Sequence, residues 1–235
     1  MMTHKKNKQL TRAALVAVVL AIFALPAAAE VEITFEGNCW YTPTMDAVGS
    51  VMQVLGVANP PAIAPPPMVM DFDNYEYTIW IDEMVVAMFV YDMADQKKVT
   101  DFNGGVIRIY RDLKAGGTPA DFAVQATFTD GEMILAATVH DGWKMQLADP
   151  FGMSFAGSGV GLCDFYDGIR LADLIEIGGQ PYLENWTFAG TGISDPGFFV
   201  TVPDGYDRLF GVKLVYPEPV TVEGATWGEL KSLFN

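Results

Sequence analysis

Histidine is scarce in this chain of 235 residues, which has only His4 and His140. His4 lies in an N-terminal segment that we expect to be removed, so His140 would be the single histidine of the remaining protein. One imidazole excludes every site that needs two. It also disfavours a zinc or copper centre, although the two cysteines could in principle supply ligands.

Basic residues are also few, because 14 lysines and arginines face 29 aspartates and glutamates, for a net charge of −15. Four basic residues and none of the acidic ones lie in the first 29 positions, so removal of that segment leaves a charge of about −19. Such a surface repels nucleic acid and anionic lipid and favours cations, calcium in particular. The alternative is that the charge only keeps the protein soluble.

The sequence lacks an apolar run long enough to span a bilayer, which needs about 20 residues. Its N-terminal run covers Ala13 to Leu25, after a basic start and before Pro26 and three alanines. This is the layout of a secretory signal, so we expect cleavage after Ala29 and export from a bacterial cell to the periplasm or cell surface. An uncleaved anchor is the alternative. We expect no transmembrane anchor after cleavage.

Two cysteines, Cys39 and Cys163, are present. A pair of cysteines in an oxidising compartment usually forms a disulfide, so we expect one between them, tying the first strand to the body of the domain. Two buried free thiols are the alternative.

Most of the chain shows the period-two alternation of β-strands, as in Val31 to Glu36 and Tyr75 to Asp82. Further strands are predicted at 84–91, 106–111, 122–128, 133–140, 186–189 and 209–216. Tight-turn dipeptides such as Asn103-Gly104 and Asp130-Gly131 recur between apolar segments. The pattern predicts an all-β fold of ten to twelve strands, an antiparallel β-sandwich or a closed β-barrel with one or two short helices. The related segments at 155–160 and 188–193 carry alternate glycines, which indicate bent strands or close backbone approach.

Three segments are expected. Residues 1–29 form the signal peptide, residues 30–67 a strand, a short helix and a Pro-rich connector, and residues 68–235 the main β domain, with the last two forming one domain. The short helix is predicted within Met45–Val57 from helical spacing of apolar residues, and the prolines at 60–67 exclude regular structure. Further short helices are predicted at 169–176 and 226–234.

Acidic residues around one predicted hairpin offer oxygen ligands for a structural calcium ion: Asp92, Asp95, Asp101 and Asn103. A solvated acidic turn is the alternative. No organic cofactor is expected, because the chain has neither a phosphate-binding glycine loop nor a dinucleotide fingerprint.

Aromatic residues give the clearest indication of binding. Trp80 shares a strand face with Glu76 and Asp82 rather than with apolar residues, and Trp143 follows a turn. Exposed tryptophan on a sheet forms platforms for sugar rings or apolar ligands, so we predict that these four residues contact a ligand. Burial in the core is the alternative.

Catalysis is less well supported. Gly152-Met153-Ser154 resembles the start of a nucleophile elbow, but Ala156 breaks the motif and His140 precedes the serine. We therefore predict a non-enzymatic exported domain that binds a carbohydrate, a small ligand or a partner protein. A structural envelope or surface protein is the first alternative, and a carboxylate-dependent glycoside hydrolase is the second.

Overall fold

The computed structural model describes residues 31–60, 70–149, 155–175, 183–194 and 202–216. Nearly all of this part is β-structure. The strands are β1 (Val31–Thr42), β2 (Val51–Ala58), β3 (Tyr75–Asp92), β4 (Lys97–Asn103), β5 (Val106–Leu113), β6 (Glu132–Val139), β7 (Trp143–Ala148), β8 (Phe155–Asp167), β9 (Trp186–Ser194) and β10 (Arg208–Tyr216). A 3₁₀ helix covers Gln125–Phe128, and a short helix, α1, covers Leu171–Ile175.

The strands form an antiparallel sheet that closes on itself. Eight strands make the ring in the order β2-β1-β10-β9-β8-β6-β5-β3, and β3 pairs again with β2. The two additional strands, β4 and β7, form a second bridge between β3 and β8. The prediction of an all-β, antiparallel fold is therefore confirmed, and eight strands pair in a closed ring with two extra strands beside it.

The barrel interior is filled by apolar side chains, as the alternation along each strand requires. In β1 the inward residues Ile33, Phe35 and Cys39 are at most 3% exposed. Trp143 is fully buried, stacks on Phe188 with 5.3 Å between ring centroids, and donates an indole hydrogen bond to the Phe188 carbonyl at 3.1 Å.

The alternate glycines of β8 and β9 make room for these rings. Gly159 pairs with Gly190 across the two strands. A Cβ at Gly159 would lie 2.6 Å from Trp143 Cζ2, and one at Gly190 would lie 2.5 Å from Phe210 Cζ. The close approach expected from the sequence therefore serves core packing, because no side chain larger than hydrogen fits beneath Trp143.

The predicted disulfide is absent, and Cys39 and Cys163 are free, buried thiols. Cys39 pairs with Arg208 at the start of β10, whereas Cys163 pairs with Trp186 at the start of the antiparallel neighbour β9, so the two cysteines lie toward opposite ends of the barrel. Two strands also separate β1 from β8. A disulfide needs Cα atoms within about 7 Å, less than the roughly 14 Å that three strand spacings cover along the sheet.

The short helix predicted within Met45–Val57 is wrong. Residues 43–50 form turns, and β2 begins at Val51. β2 pairs with β1 and β3 at once, so its backbone hydrogen bonds are made between strands, and the register shift between β2 and β3 places the extra residue in β3, between Ile81 and Met84. Leu55, on the outer face of β2, is as fully buried as Val54 on the inner face, so apolar residues on both faces give a spacing that resembles a helix.

Several predicted segments lie outside the described residues: the signal peptide at 1–29, most of the Pro-rich connector and the helix at 226–234. The helix predicted at 169–176 is present in shorter form as α1. Within the described ranges, no helix is long and apolar enough to cross a membrane.

Candidate functional site

A groove of about 600 Å³ crosses the outer wall of the barrel over β1, β10, β9 and β8. Two rows of outward residues run across these four strands. One row follows the pairs Asn38–Leu209, Leu209–Ile193 and Ile193–Ala156. In the second row Gly211 lies between Glu36 and Thr191. Gly211 has no side chain, and the Thr191 hydroxyl lies over it, 2.8 Å from where a Cβ would stand.

Glycines also line both sides of the groove. A Cβ at Gly37 in β1 would lie 1.8 Å from the Leu55 carbonyl oxygen, and one at Gly157 in β8 would lie 1.9 Å from the Gln146 carbonyl oxygen. At both positions the backbone of the adjacent strand approaches too closely for any side chain. Between them, Phe210 forms the floor, with only 1% of its surface exposed.

Among the described polar side chains that line the groove, Asn38 has a buried hydrogen-bond acceptor without a donor. Its side chain is 3% exposed, and its Oδ1 atom is buried with no hydrogen-bond partner among the described residues. A buried carbonyl oxygen without a donor costs about 1–3 kcal/mol. Buried polar groups in folded proteins are satisfied in the great majority of cases, so this acceptor requires an explanation.

Glu36 is the only ionisable side chain among the described residues that line the groove. It is exposed at the rim, on the same face of β1 as Asn38. The remaining polar side chain of the lining is Thr191, whose hydroxyl can both donate and accept a hydrogen bond. The groove is therefore apolar, with hydrogen-bond acceptors on its β1 side.

A loop between β5 and β6 forms one wall. Phe122 from this loop lines the groove and packs edge-on against Tyr206 with 5.8 Å between ring centroids. The Tyr206 hydroxyl donates to the Phe122 carbonyl at 3.0 Å, and the buried Thr78 hydroxyl donates to the Phe128 carbonyl at 2.7 Å. These contacts fix the loop against the barrel wall and place the Phe122 ring.

A charged cluster lies inside the barrel near one end of the groove. Arg208 is fully buried, and its Nη2 donates to both carboxylate oxygens of Asp46 at 2.8 and 2.9 Å, while Nη1 donates to the Tyr41 hydroxyl at 2.9 Å. Lys98 also contacts Asp46 at 3.0 Å. Desolvation alone would lower the pKa of Arg208, but attraction by Tyr41 and Asp46 outweighs it and raises that pKa. The cluster anchors the turns at 43–50.

The four predicted ligand residues are not brought together. Glu76, Trp80 and Asp82 share the outer face of β3, and Trp80 is half-buried. The Trp80 indole nitrogen is buried and has no hydrogen-bond partner among the described residues. Trp143 lies in the barrel interior, fully buried. The prediction of a ligand platform on β3 stays untested.

The four predicted calcium ligands are spread along the β3–β4 hairpin. Asp92 Oδ1 accepts the backbone N–H groups of Ala94 and Asp95 in the turn, at 2.9 and 3.3 Å. Asp101 faces Lys144 on β7 at 3.4 Å, and Asn103 pairs with Val85. In the part of the chain that the structure describes, no three His, Cys, Asp or Glu side chains are grouped so that they could hold a metal ion.

One carboxylate pair faces a small cavity of about 250 Å³, where Glu76 lies directly across from Asp112. Glu76 accepts the Ala120 backbone N–H at 2.7 Å, and Asp112 accepts the Leu113 N–H at 2.8 Å. Both carboxylates thus hold backbone around the β5–β6 loop. His140 is paired with Asp164 at 2.7 Å on the barrel surface.

The groove was not predicted from the sequence. The only signal for it is the alternate-glycine pattern in 155–160 and 188–193, which indicates close approach without revealing a cavity. Asn38 and Glu36 lie in a strand whose alternation is evident, but nothing in the sequence shows which strands flank it.

Comparison with known proteins gives no indication of function. No family model matches the chain, and neither a curated protein nor a solved structure matches it.

Proposed function

We propose that this protein is a non-enzymatic binding domain that holds a small, largely apolar ligand in the outer groove over β1, β10, β9 and β8. The observation that carries the proposal is Asn38, a residue that lines this groove and whose buried Oδ1 lacks a donor within the described part of the chain. A ligand hydroxyl or N–H group would satisfy it. The groove volume of about 600 Å³ lies in the usual range for small-molecule sites.

Shape and chemistry support a ligand with one flat apolar face. Phe122 forms a wall and Phe210 the floor, while Gly211 and Gly192 keep the lining between them free of bulky side chains. Aromatic walls contact aromatic rings and the apolar faces of sugars in the same manner. Both a carbohydrate and another ring-bearing small molecule fit this description.

The test compares two probes that differ in a single donor: 2-phenylethanol and its methyl ether. Backbone amide shifts in ¹H–¹⁵N NMR spectra report the site through Gly192 and Gly211. We expect the alcohol to shift these amides and to bind about tenfold more tightly than the ether, because only the alcohol donates to Asn38. The variant Asn38→Ala removes the acceptor, and Thr187→Ala, on the outer face of β9 but not in the groove lining, is the control.

Equal affinity of the two probes, or retention of the preference in Asn38→Ala, would show that Asn38 does not select a donor. Absence of groove shifts with both probes would overturn the binding proposal itself.

We also propose that the domain acts outside the cytoplasm. The support is the basic, apolar and small-residue order of the first 29 residues. The protein recovered from the periplasm or the medium of an expressing bacterium should begin at Glu30 by intact mass. An uncut N-terminus in a cytoplasmic fraction would contradict this.

A further inference from the structure

We infer that the groove selects a cation, and that its ligand is an organic ammonium carried on an apolar ring or chain. This inference rests on the proposed function and names the ligand class of the same site. A bound head group would meet two polar side chains on the β1 side of the groove. These are the Asn38 side-chain carbonyl, which accepts hydrogen bonds, and the Glu36 carboxylate.

An ammonium group matches this set better than a hydroxyl does. It has three donors and no acceptor, so it can satisfy the Asn38 carbonyl and the Glu36 carboxylate together. A hydroxyl has one proton to donate and would satisfy only one of the two. A carboxylate ligand would bring a like charge to Glu36 and offer Asn38 Oδ1 no donor.

Neighbouring cations do not cancel this preference. Lys213 lies in the next outward row of β10, and its Nζ is held by Glu32 at 2.7 Å, on the side away from the groove. Arg208 lies inside the barrel, where Asp46 and Tyr41 take its guanidinium. The whole chain adds a net charge of −15, which raises the local concentration of cations.

A metal ion fits the groove less well than an organic cation. Calcium takes six to eight oxygen ligands, whereas the described lining offers one carboxylate, one amide and one hydroxyl side chain. The remaining lining is glycine and apolar side chains, which favour the hydrocarbon part of a ligand.

The experiment uses three probes that share a phenylethyl group: 2-phenylethylammonium, 2-phenylethanol and 3-phenylpropanoate. Affinities are measured at pH 7 and low salt on the whole protein, with the Gly192 and Gly211 amides reporting the site. We expect the ammonium to bind about fivefold or more tightly than the alcohol, since two unit charges about 4 Å apart contribute a factor of this size at a protein surface. The propanoate should bind more weakly than either.

Glu36→Gln keeps the size of the side chain and removes its charge. In this variant the ammonium and the alcohol should bind with similar affinity, and added salt should weaken ammonium binding only in the unmodified protein. Glu83→Gln, an exposed acid elsewhere on the barrel, is the matched control and should leave the preference intact.

The outcomes separate the two proposals. If the alcohol shifts the groove amides and the ammonium binds no more tightly, the groove is a binding site and the cation preference is overturned. If the preference survives in Glu36→Gln, the charge responsible lies elsewhere and the assignment to Glu36 is overturned. If no probe shifts the groove amides, the binding site itself is overturned.

Discussion

Asp46 is the anionic partner of a fully buried arginine, so its carboxylate should be among the most costly side-chain groups to remove. Arg208 is 0% exposed and gives both Nη2 hydrogen bonds to Asp46. Replacing Asp46 by Asn keeps the shape and one oxygen but leaves the guanidinium charge uncompensated. Breaking a buried pair in this manner costs about 3–5 kcal/mol in the free energy of unfolding.

The magnitude can be checked by urea denaturation at pH 7. With a slope of roughly 3 kcal/mol per molar urea for a domain of this size, Asp46→Asn should lower the midpoint by about 1 M or more. Lys98, whose side chain is 18% exposed, also contacts Asp46. Lys98→Met should cost only about 1 kcal/mol, because water solvates the lysine in part. Asp130→Asn, at an exposed position, is the control.

The double variant Asp46→Asn/Arg208→Met tests whether the uncompensated charge of Arg208 causes the loss of stability. Replacing both partners removes the uncompensated charge, so the double variant should be more stable than Asp46→Asn alone. If Asp46→Asn loses less than about 1 kcal/mol, or if the double variant is less stable than the single one, then Asp46 is not the group that compensates Arg208.

Three further predictions concern the core and the titratable groups. Gly190→Ala should lower the free energy of unfolding by about 1–3 kcal/mol, because its Cβ would meet Phe210 at 2.5 Å. Gly192→Ala, whose Cβ would have its nearest contact at 3.5 Å, should leave the free energy of unfolding nearly unchanged. Equal urea midpoints for the two variants would refute the packing argument. Burial raises the pKa of both Cys39 and Cys163 from 9.0 to about 12, so both thiols stay neutral in the folded state. The stability that this shift contributes is complete below pH 9 and is lost as pH rises toward 12. Cys39→Ala/Cys163→Ala should therefore show a flatter loss of urea midpoint between pH 9 and 12, and an unchanged slope would count against buried free thiols. Desolvation would raise the pKa of Asp164, but hydrogen bonds from Asn185 and His140 outweigh it and lower that pKa from 3.8. The stabilisation of the folded state by these contacts is therefore present above about pH 4 and is lost as pH falls below that value. Asp164→Asn should accordingly lower the melting temperature at pH 7 more than at pH 3, and the same decrease at both values would contradict the assignment.

Local alternation was sufficient to predict much of the fold. The strand at 75–82 and those beginning near 106, 133, 186 and 209 are present as parts of β3, β5, β6, β9 and β10. The strand predicted at 122–128 is wrong, because these residues form a turn and a 3₁₀ helix that cover the outer wall. Phe122 and Phe128 pack toward the barrel whereas Val124 is exposed, and a short covering loop can show the same composition as a strand.

The long-range arrangement could not be predicted in the same manner. Ring closure depends on the pairing of β1 with β10, which are separated by most of the chain. Register decides which faces meet, and a one-residue change would move Asn38 from the groove to the interior. The disulfide was mispredicted for the same reason, because compartment and cysteine number say nothing about the distance between two strands in a closed sheet.

The core and the groove depend on the same barrel wall, but their residues can be varied separately. Gly190 contacts aromatic rings of the interior and does not line the groove, so its substitution tests packing. Asn38 and Glu36 project outward from β1, so their substitution tests ligand recognition. If Asn38 Oδ1 served no ligand, replacing Asn38 with an apolar residue of similar size should stabilise the free protein without any loss of function, since an unsatisfied buried acceptor costs about 1–3 kcal/mol. A gain in stability accompanied by loss of donor-selective binding is the combination expected of a site whose preformed polar group is satisfied only by its ligand.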